Sequence, residues 1–342
     1  MLTLSRPNYL AEKIVFLDGL TGTGKTLMAP LLSSLQRVEL SKFDHIYEFL
    51  GALNSMEKID SDAAEYLISM YADFALYNIM ISREINFRFN DLSSVFRNCG
   101  TWRYLRRLWY KDGVAVEARI KKEKPILQII AHQALPIMDS TFRALKGRLR
   151  VIEMVRHPLY LIEHWNTYIE RYGCDPRDFT IWIDYNGKTL PWFARGWEEL
   201  YSVFSPMDKV IYTIQWLTNQ AEEMVSRLEV TQQKQILFIP FEHFVLKPFP
   251  FLRQIEELLE TKMTSATKRV LRQQKCPRKQ ITAGPAKAIY KRYGWTEPDP
   301  RSTTLTDLQK KRAIAQSLAT PAALEVLDKI SREYEKKYGL WF

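Results

Sequence analysis

Ile14-Val15-Phe16-Leu17-Asp18-Gly19-Leu20-Thr21-Gly22-Thr23-Gly24-Lys25-Thr26-Leu27-Met28-Ala29 is the stretch that decides the fold. A short apolar run, Ile14 to Leu17, ends in a glycine-rich turn. The turn opens a segment, Lys25 to Leu35, whose apolar residues recur at helical spacing. Gly19 to Thr26 meets the pattern G-x-x-x-x-G-K-[ST] in full. Strand, glycine loop and helix, in that order, make a phosphate cradle. The glycines let backbone N–H groups turn inward, and the helix adds its positive N-terminal end. Lys25 can then reach outer phosphates, and the Thr26 hydroxyl can reach phosphate or Mg²⁺. Gly19, Leu20, Thr21, Gly22, Thr23, Gly24, Lys25 and Thr26 are therefore the expected phosphate-binding residues, and a nucleotide or nucleotide-like donor is the expected ligand.

Outward from the loop, apolar runs at Val114–Val116, Ile126–Ile130, Val151–Val155 and 235–239 read as buried strands. Helical patterns fill most of the gaps: 55–108, from about Leu159, 208–228 and 249–259. In the first of these, Tyr66, Met70, Phe74 and Tyr77 form a stripe that reads as core. Asn186-Gly187 between two extended runs predicts a hairpin. Strands alternating with helices predict a three-layer α/β P-loop domain with a mainly parallel sheet. The expected organisation is one domain over 1–300, with a helical insertion at about 55–110. A cap at 301–342 follows, made of two charged amphipathic helices parted at Thr320-Pro321.

The chain has 342 residues and a formal net charge of +10, which suits a basic cleft for a polyanion; no nucleic-acid-binding signature is present, so no nucleic-acid partner is expected. Cys99, Cys174 and Cys276 are far apart and fit neither a metal site nor a disulfide framework, so no metal is assigned to them. The N-terminal residues lack a signal-peptide pattern, and no apolar run is long enough to span a bilayer. A cytoplasmic location is the expectation.

Several segments, in order over about residues 12 to 295, resemble the P-loop sulfotransferases. Ile129-Ile130-Ala131-His132 ends one strand. Val151 to Arg156, followed by His157-Pro158, ends the next and opens a helix. Ile236 to Pro248, with Phe241-Glu242-His243, is similar to the family's later strand and its Y-E-D-L segment. Pro277-Arg278-Lys279 is similar to its late basic segment. The resemblance implies 3′-phosphoadenosine 5′-phosphosulfate as donor and a hydroxyl-bearing acceptor on a carbohydrate or small metabolite. It also implies that His132 is the catalytic base, that Lys25 acts on the transferred group, and that Arg156, His164 and Arg278 meet the 3′-phosphate. Independently of the family, a histidine at a strand's C-terminal end lies where open α/β sheets bind ligands, and its ordinary pKa suits proton removal near neutrality.

This chain departs from the family at three places. The family's loop is shorter and carries lysine where this chain has Gly22. His164 stands where it has serine, and Phe241 and His243 stand for Tyr and Asp. The loop itself is that of nucleoside-triphosphate enzymes. A phosphotransferase using ATP with Mg²⁺ is therefore the alternative, with Glu117 as the carboxylate near the metal, and a non-catalytic nucleotide-binding interaction protein is the second. Trp182, Trp192 and Trp197 are candidates to stack on a sugar, or else core. The acceptor pocket is expected from the 55–108 region and the hairpin.

Overall fold

The computed structural model describes residues 2–91, 93–174, 176, 178–285, 291, 299 and 301–339. The end of the resembling stretch, 286–290 and 292–295, lies outside the described residues, as do the last three residues of the cap. Among the described residues, seven strands form two sheets: β1 Lys13–Asp18, β2 Lys42–Phe43, β3 Ile126–Ile130, β4 Leu149–Val155, β5 Trp182–Tyr185, β6 Lys188–Pro191 and β7 Ile236–Pro240. The main sheet is parallel, in the order β2-β3-β1-β4-β7. β5 and β6 form the hairpin expected at Asn186-Gly187, with φ of 52° and 76° at the two turn residues, as a two-residue turn requires.

β1 lies in the middle and is buried on both faces, which is why it reads as a continuous apolar run. Ile14 and Phe16 enter one core with Ile68, Ala72 and Leu76 of the Ser61–Met80 helix. Val15 and Leu17 enter the other, with Leu27, Met28 and Leu31 of the Lys25–Leu32 helix and Val210, Ile211 and Ile214 of the Pro206–Arg227 helix. Helices thus cover both faces of the sheet, the three-layer α/β architecture that the element pattern predicts. The Thr304–Leu318 and Pro321–Tyr338 helices break at Thr320-Pro321 and bury Leu308, Ala315, Leu327 and Ile330 in this second core.

Two expectations need correction. Val114–Val116 is not a strand but the start of the Val114–Glu123 helix. Val116 and Ile120, one turn apart, are its buried residues, while Val114 is 81% exposed. Glu117 stands on that helix's outer side in an i,i+4 ion pair with Lys121 at 2.6 Å, far in role from a strand-end carboxylate. The stripe at Tyr66, Met70, Phe74 and Tyr77 is not core either. Phe74 is half exposed, and the Ser61–Met80 helix instead turns Ala64, Ile68, Ala72, Ala75 and Leu76 to the sheet. Small alanines let the helix axis approach the sheet, and the larger side chains flank the contact.

The Thr101–Arg107 helix is tied to the β2 side by a buried ion pair. Arg107 reaches Glu39 with two bonds, Nη1 to Oε2 at 2.7 Å and Nη2 to Oε1 at 3.0 Å, and the Tyr104 hydroxyl donates to the same carboxylate at 2.7 Å. Burial pushes the Glu39 carboxyl up, but Arg103 and Arg107 outweigh it and hold it below the usual carboxylate range. Removing one partner strands a buried charge, whereas removing both does not. Arg107→Ala is expected to lose about 3–5 kcal/mol in urea unfolding. The double variant Arg107→Met, Glu39→Leu is expected to recover most of that; equal losses in the two would show that the arginine acts by packing alone.

Candidate phosphate cleft and its histidine wall

The loop between β1 and the Lys25–Leu32 helix turns on three glycines in the left-handed region, Gly19, Gly22 and Gly24, with φ of 132°, 95° and 104°. A Cβ at Gly19 would lie 2.2 Å from the Met154 carbonyl oxygen, so only glycine fits there. All four carbonyls from Gly19 to Gly22 accept from protein donors. Gly19 O accepts from Gln133 N at 3.1 Å and from Lys25 Nζ. Leu20 O accepts from Lys25 Nζ at 3.0 Å and from the Thr23 hydroxyl at 2.8 Å. Thr21 O takes Trp165 Nε1 at 2.9 Å, and Gly22 O takes Arg156 Nη1 at 2.7 Å. With its oxygens held by the protein, the loop is shaped to offer N–H groups to an anion.

Thr21, Gly22, Gly24, Lys25 and Thr26 line a cavity of about 1500 Å³ at the C-terminal edge of the main sheet. Gly19, Leu20 and Thr23 stand behind them as the frame of the loop. His132, Arg156, His164 and Arg278 line the same cavity, so the candidates read from four separate stretches of sequence come together. Arg156 and Arg278 lie over the Phe241 ring, 4.4 and 5.6 Å from its centroid. Arg278 is further held by a bond to Ile281 O at 2.8 Å. His164 packs against Gly22. Desolvation, then the charges of Arg156 and Lys25, push its pKa down to about 3, so it is neutral in the cavity. Arg97, Arg269 and Lys311 add positive charge to the wall, against Asp91, Glu163 and Asp307. The balance favours an anionic occupant.

His132 follows β3, and its position is set by a residue that the sequence did not single out. Glu48, in the Ile46–Ser55 helix, accepts from His132 N at 2.7 Å and lies 3.5 Å from His132 Nδ1. Its other oxygen is 3.3 Å from His45 Nδ1. Burial opposes ionisation of Glu48, but the two imidazoles overcome this and bring its carboxyl to about 2. Phe43 packs edge-on against His132, with centroids 4.7 Å apart. Desolvation and Lys25 push the His132 pKa below its ordinary value, against the pull of Glu48. The ring is therefore neutral near pH 7 and can accept a proton. The only sequence signal was the i,i+3 spacing of His45 and Glu48; the span of 84 residues to His132 left no local trace.

Two more acidic groups lie beside Lys25. Asp18 and Glu153 face each other across β1 and β4, both buried. Burial raises both carboxyls, and Asp18 adds to the rise of Glu153. The three tryptophans do not line the cavity. Trp192 is buried against Phe193 and Trp216, Trp197 packs on Tyr201, and Trp182 packs on Tyr172. The hairpin is likewise absent from the lining, while residues 90–91, 93 and 96–99 of the region after the Ser61–Met80 helix contribute to it.

No family model and no curated protein matches the sequence. Among solved structures, the chain is similar to a sulfotransferase domain from the Synechococcus PCC 7002 olefin synthase, with 14% identity, TM-score 0.45 and 100% of both chains covered. It is similar to a sulfotransferase domain from the curacin biosynthetic pathway, with 14% identity, TM-score 0.43, and 93% of this chain and 97% of that one covered. A sulfotransferase from Mycobacterium avium has 11% identity and TM-score 0.46, with 97% of this chain and 78% of that one covered.

Charge-assisted bonds to phosphate contribute roughly 1.5–3 kcal/mol each. Lys25→Ala is therefore expected to weaken binding of an adenine nucleotide by at least about tenfold in calorimetry, with the fold intact by circular dichroism. Wild-type affinity in a folded variant would remove the loop from the site.

Proposed function

We propose that this chain is a sulfotransferase that moves a sulfuryl group from 3′-phosphoadenosine 5′-phosphosulfate to an acceptor hydroxyl on a carbohydrate or small metabolite. The observation that carries the reading is the meeting of Lys25, His132 and Arg156 on one cavity at the sheet's C-terminal edge. The donor set fits the ligand. Loop amides and Lys25 would hold the 5′-phosphosulfate, and Arg156, Arg278 and His164 would hold the 3′-phosphate. Two guanidiniums fixed over one phenyl ring offer planar donors at a set separation, which suits a phosphate monoester. The donor supplies an activated sulfuryl group; the protein supplies placement and charge.

His132 is neutral and held by Glu48, so its free nitrogen would take the acceptor's proton. Glu48 accepts from the His132 backbone N–H and lies 3.5 Å from the ring's Nδ1, where its charge would stabilise the imidazolium that results. Lys25 would neutralise charge building on the leaving oxygen. The cavity is large enough to hold donor and acceptor side by side, and placement of the two removes much of the entropic barrier. A second reading, ATP- and Mg²⁺-dependent phosphotransfer, keeps the support of the full G-x-x-x-x-G-K-T loop. It loses Glu117, and the carboxylates beside Lys25 are now Asp18 and Glu153.

The two readings differ in what stabilises the fold. Adenosine 3′,5′-bisphosphate without Mg²⁺ is expected to raise Tm more than AMP does, since a ligand at 100 times its Kd adds about 2.7 kcal/mol. Equal shifts for the two, or a shift with ATP only when Mg²⁺ is present, would favour phosphotransfer.

The base assignment has its own test. His132→Ala is expected to bind adenosine 3′,5′-bisphosphate normally and to lose about 10²–10⁴ in rate. His164→Ala is expected mainly to weaken that binding. Because the His132 pKa is lowered, wild-type kcat/KM should hold as pH falls through 6.5, the ordinary histidine value, and drop only below it. Glu48 favours the protonated ring, so Glu48→Gln should move this acid limb further down. An unchanged limb in that variant, or full turnover in His132→Ala, would reject His132 as the base.

A further inference from the structure

Between Arg83 and Lys124 lie eleven basic and five acidic residues, so this eighth of the chain carries +6 of its net +10. The same segment exposes large apolar side chains. Trp102 is 77% exposed, Trp109 79% and Val114 81%, with Leu108 at 49%. Trp102, Arg106 and Trp109 recur at helical spacing. Tyr104 and Arg107, on the opposite side of the Thr101–Arg107 helix, are buried against Glu39. The helix is thus anchored by its inner face; its outer side carries the exposed Trp102 and Arg106, and the exposed Trp109 and Lys111 follow just beyond its end. Asp112, beside Lys111, is 3.8 Å from Arg83.

We propose that this face docks on an anionic lipid bilayer. A nucleic acid would answer the charge but offer nothing to the valine and the leucine, and an acidic protein would need an apolar pocket matched to two indoles, a valine and a leucine. A bilayer interface offers both: headgroup phosphates and carboxylates for Arg106 and Lys111, and an acyl boundary for the side chains between them. Among the described residues no helix is long and apolar enough to cross a membrane, so the contact is one of lying on the surface. The patch follows directly on residues 96–99, which line the cavity. Docking therefore turns that side of the cavity toward the bilayer. On the transferase reading, this presents the site to hydroxyls of amphipathic molecules held at the lipid surface.

Sedimentation of the full chain with phosphatidylcholine vesicles, with and without phosphatidylserine, tests this directly. The protein is expected to pellet with the phosphatidylserine vesicles and to be released by salt. Trp102→Ser with Trp109→Ser, and separately Arg106→Glu with Lys111→Glu, should each reduce partitioning about tenfold or more. All four side chains are exposed, so thermal melts and binding of adenosine 3′,5′-bisphosphate should match wild type. That control separates failure of docking from failure of the transferase reading. No pelleting, pelleting independent of phosphatidylserine, or pelleting unaltered in both double variants would overturn the proposal. So would a wild-type dimer in sedimentation equilibrium that the tryptophan variant abolishes without any vesicle binding.

Discussion

The hold of the protein on the four carbonyls from Gly19 to Gly22 is the constraint from which the site follows. A loop of this kind is useful only if its oxygens are kept away from an incoming anion. Here each oxygen is taken by a group that has a second task. Lys25 holds two of them and is itself the loop's cation. Arg156 holds the Gly22 carbonyl and lines the cavity beside Phe241. Trp165 binds the Thr21 carbonyl from the middle of a helix whose His164 packs on Gly22. Loop shape and cavity wall are therefore one hydrogen-bonded unit, and a change in either is felt by both.

The parallel sheet brings these groups together. β1, β3 and β4 are neighbours, so their C-terminal ends place the loop, His132 and Arg156 side by side although 134 residues part Gly22 from Arg156. The C-terminal helices reinforce this edge. His157, next to Arg156, receives through its backbone N–H the support of Glu242 at 3.1 Å. Tyr334 donates to the same Glu242 at 2.6 Å, and Glu335 meets His157 Nε2 at 3.2 Å. Lys311, on the preceding helix, lines the cavity and pairs with Glu163. The last helices thus brace the Arg156 end of the cavity as well as covering the core.

The parts of this arrangement legible in sequence are those with strong local signals. The glycine loop, the hairpin turn at Asn186-Gly187 and the break at Thr320-Pro321 each rest on backbone chemistry within a few residues. Strands buried on both faces announce themselves as unbroken apolar runs. Val114–Val116 shows the limit of that signal: three apolar residues suit either state, and the helix wins because Val116 and Ile120 lie one turn apart and Glu117 pairs with Lys121. The stripe on the Ser61–Met80 helix has a similar cause, since the packed face mixes Ala64, Ala72 and Ala75 with Ile68 and Leu76, and a search for aromatic side chains passes over it. Glu48 was invisible for another reason. Its value lies wholly in a contact with His132, and no periodicity encodes a tertiary partner.

Asp18 and Glu153 raise a question about charge that the geometry answers. Two carboxylates in register on adjacent strands are both desolvated, which raises the pKa of each, and Asp18 adds to the rise of Glu153. Burial pushes the Lys25 pKa down, while Asp18, Glu153 and Glu48 hold it up. Around the cavity, Arg156, Arg278, Arg97, Arg269 and Lys311 add their positive charge to that of Lys25. Those arginines can draw in a polyanion while Lys25 stays folded on the loop carbonyls. Once an outer phosphate or sulfate competes for Lys25, the ammonium gains a fully charged partner inside the cavity. Its pKa rises there, and the buried carboxylates, with less of its charge to stabilise them, bind protons more tightly. Engagement of an anion and protonation behind the loop would thereby be coupled, and the lysine's charge would be greatest with the anion in place.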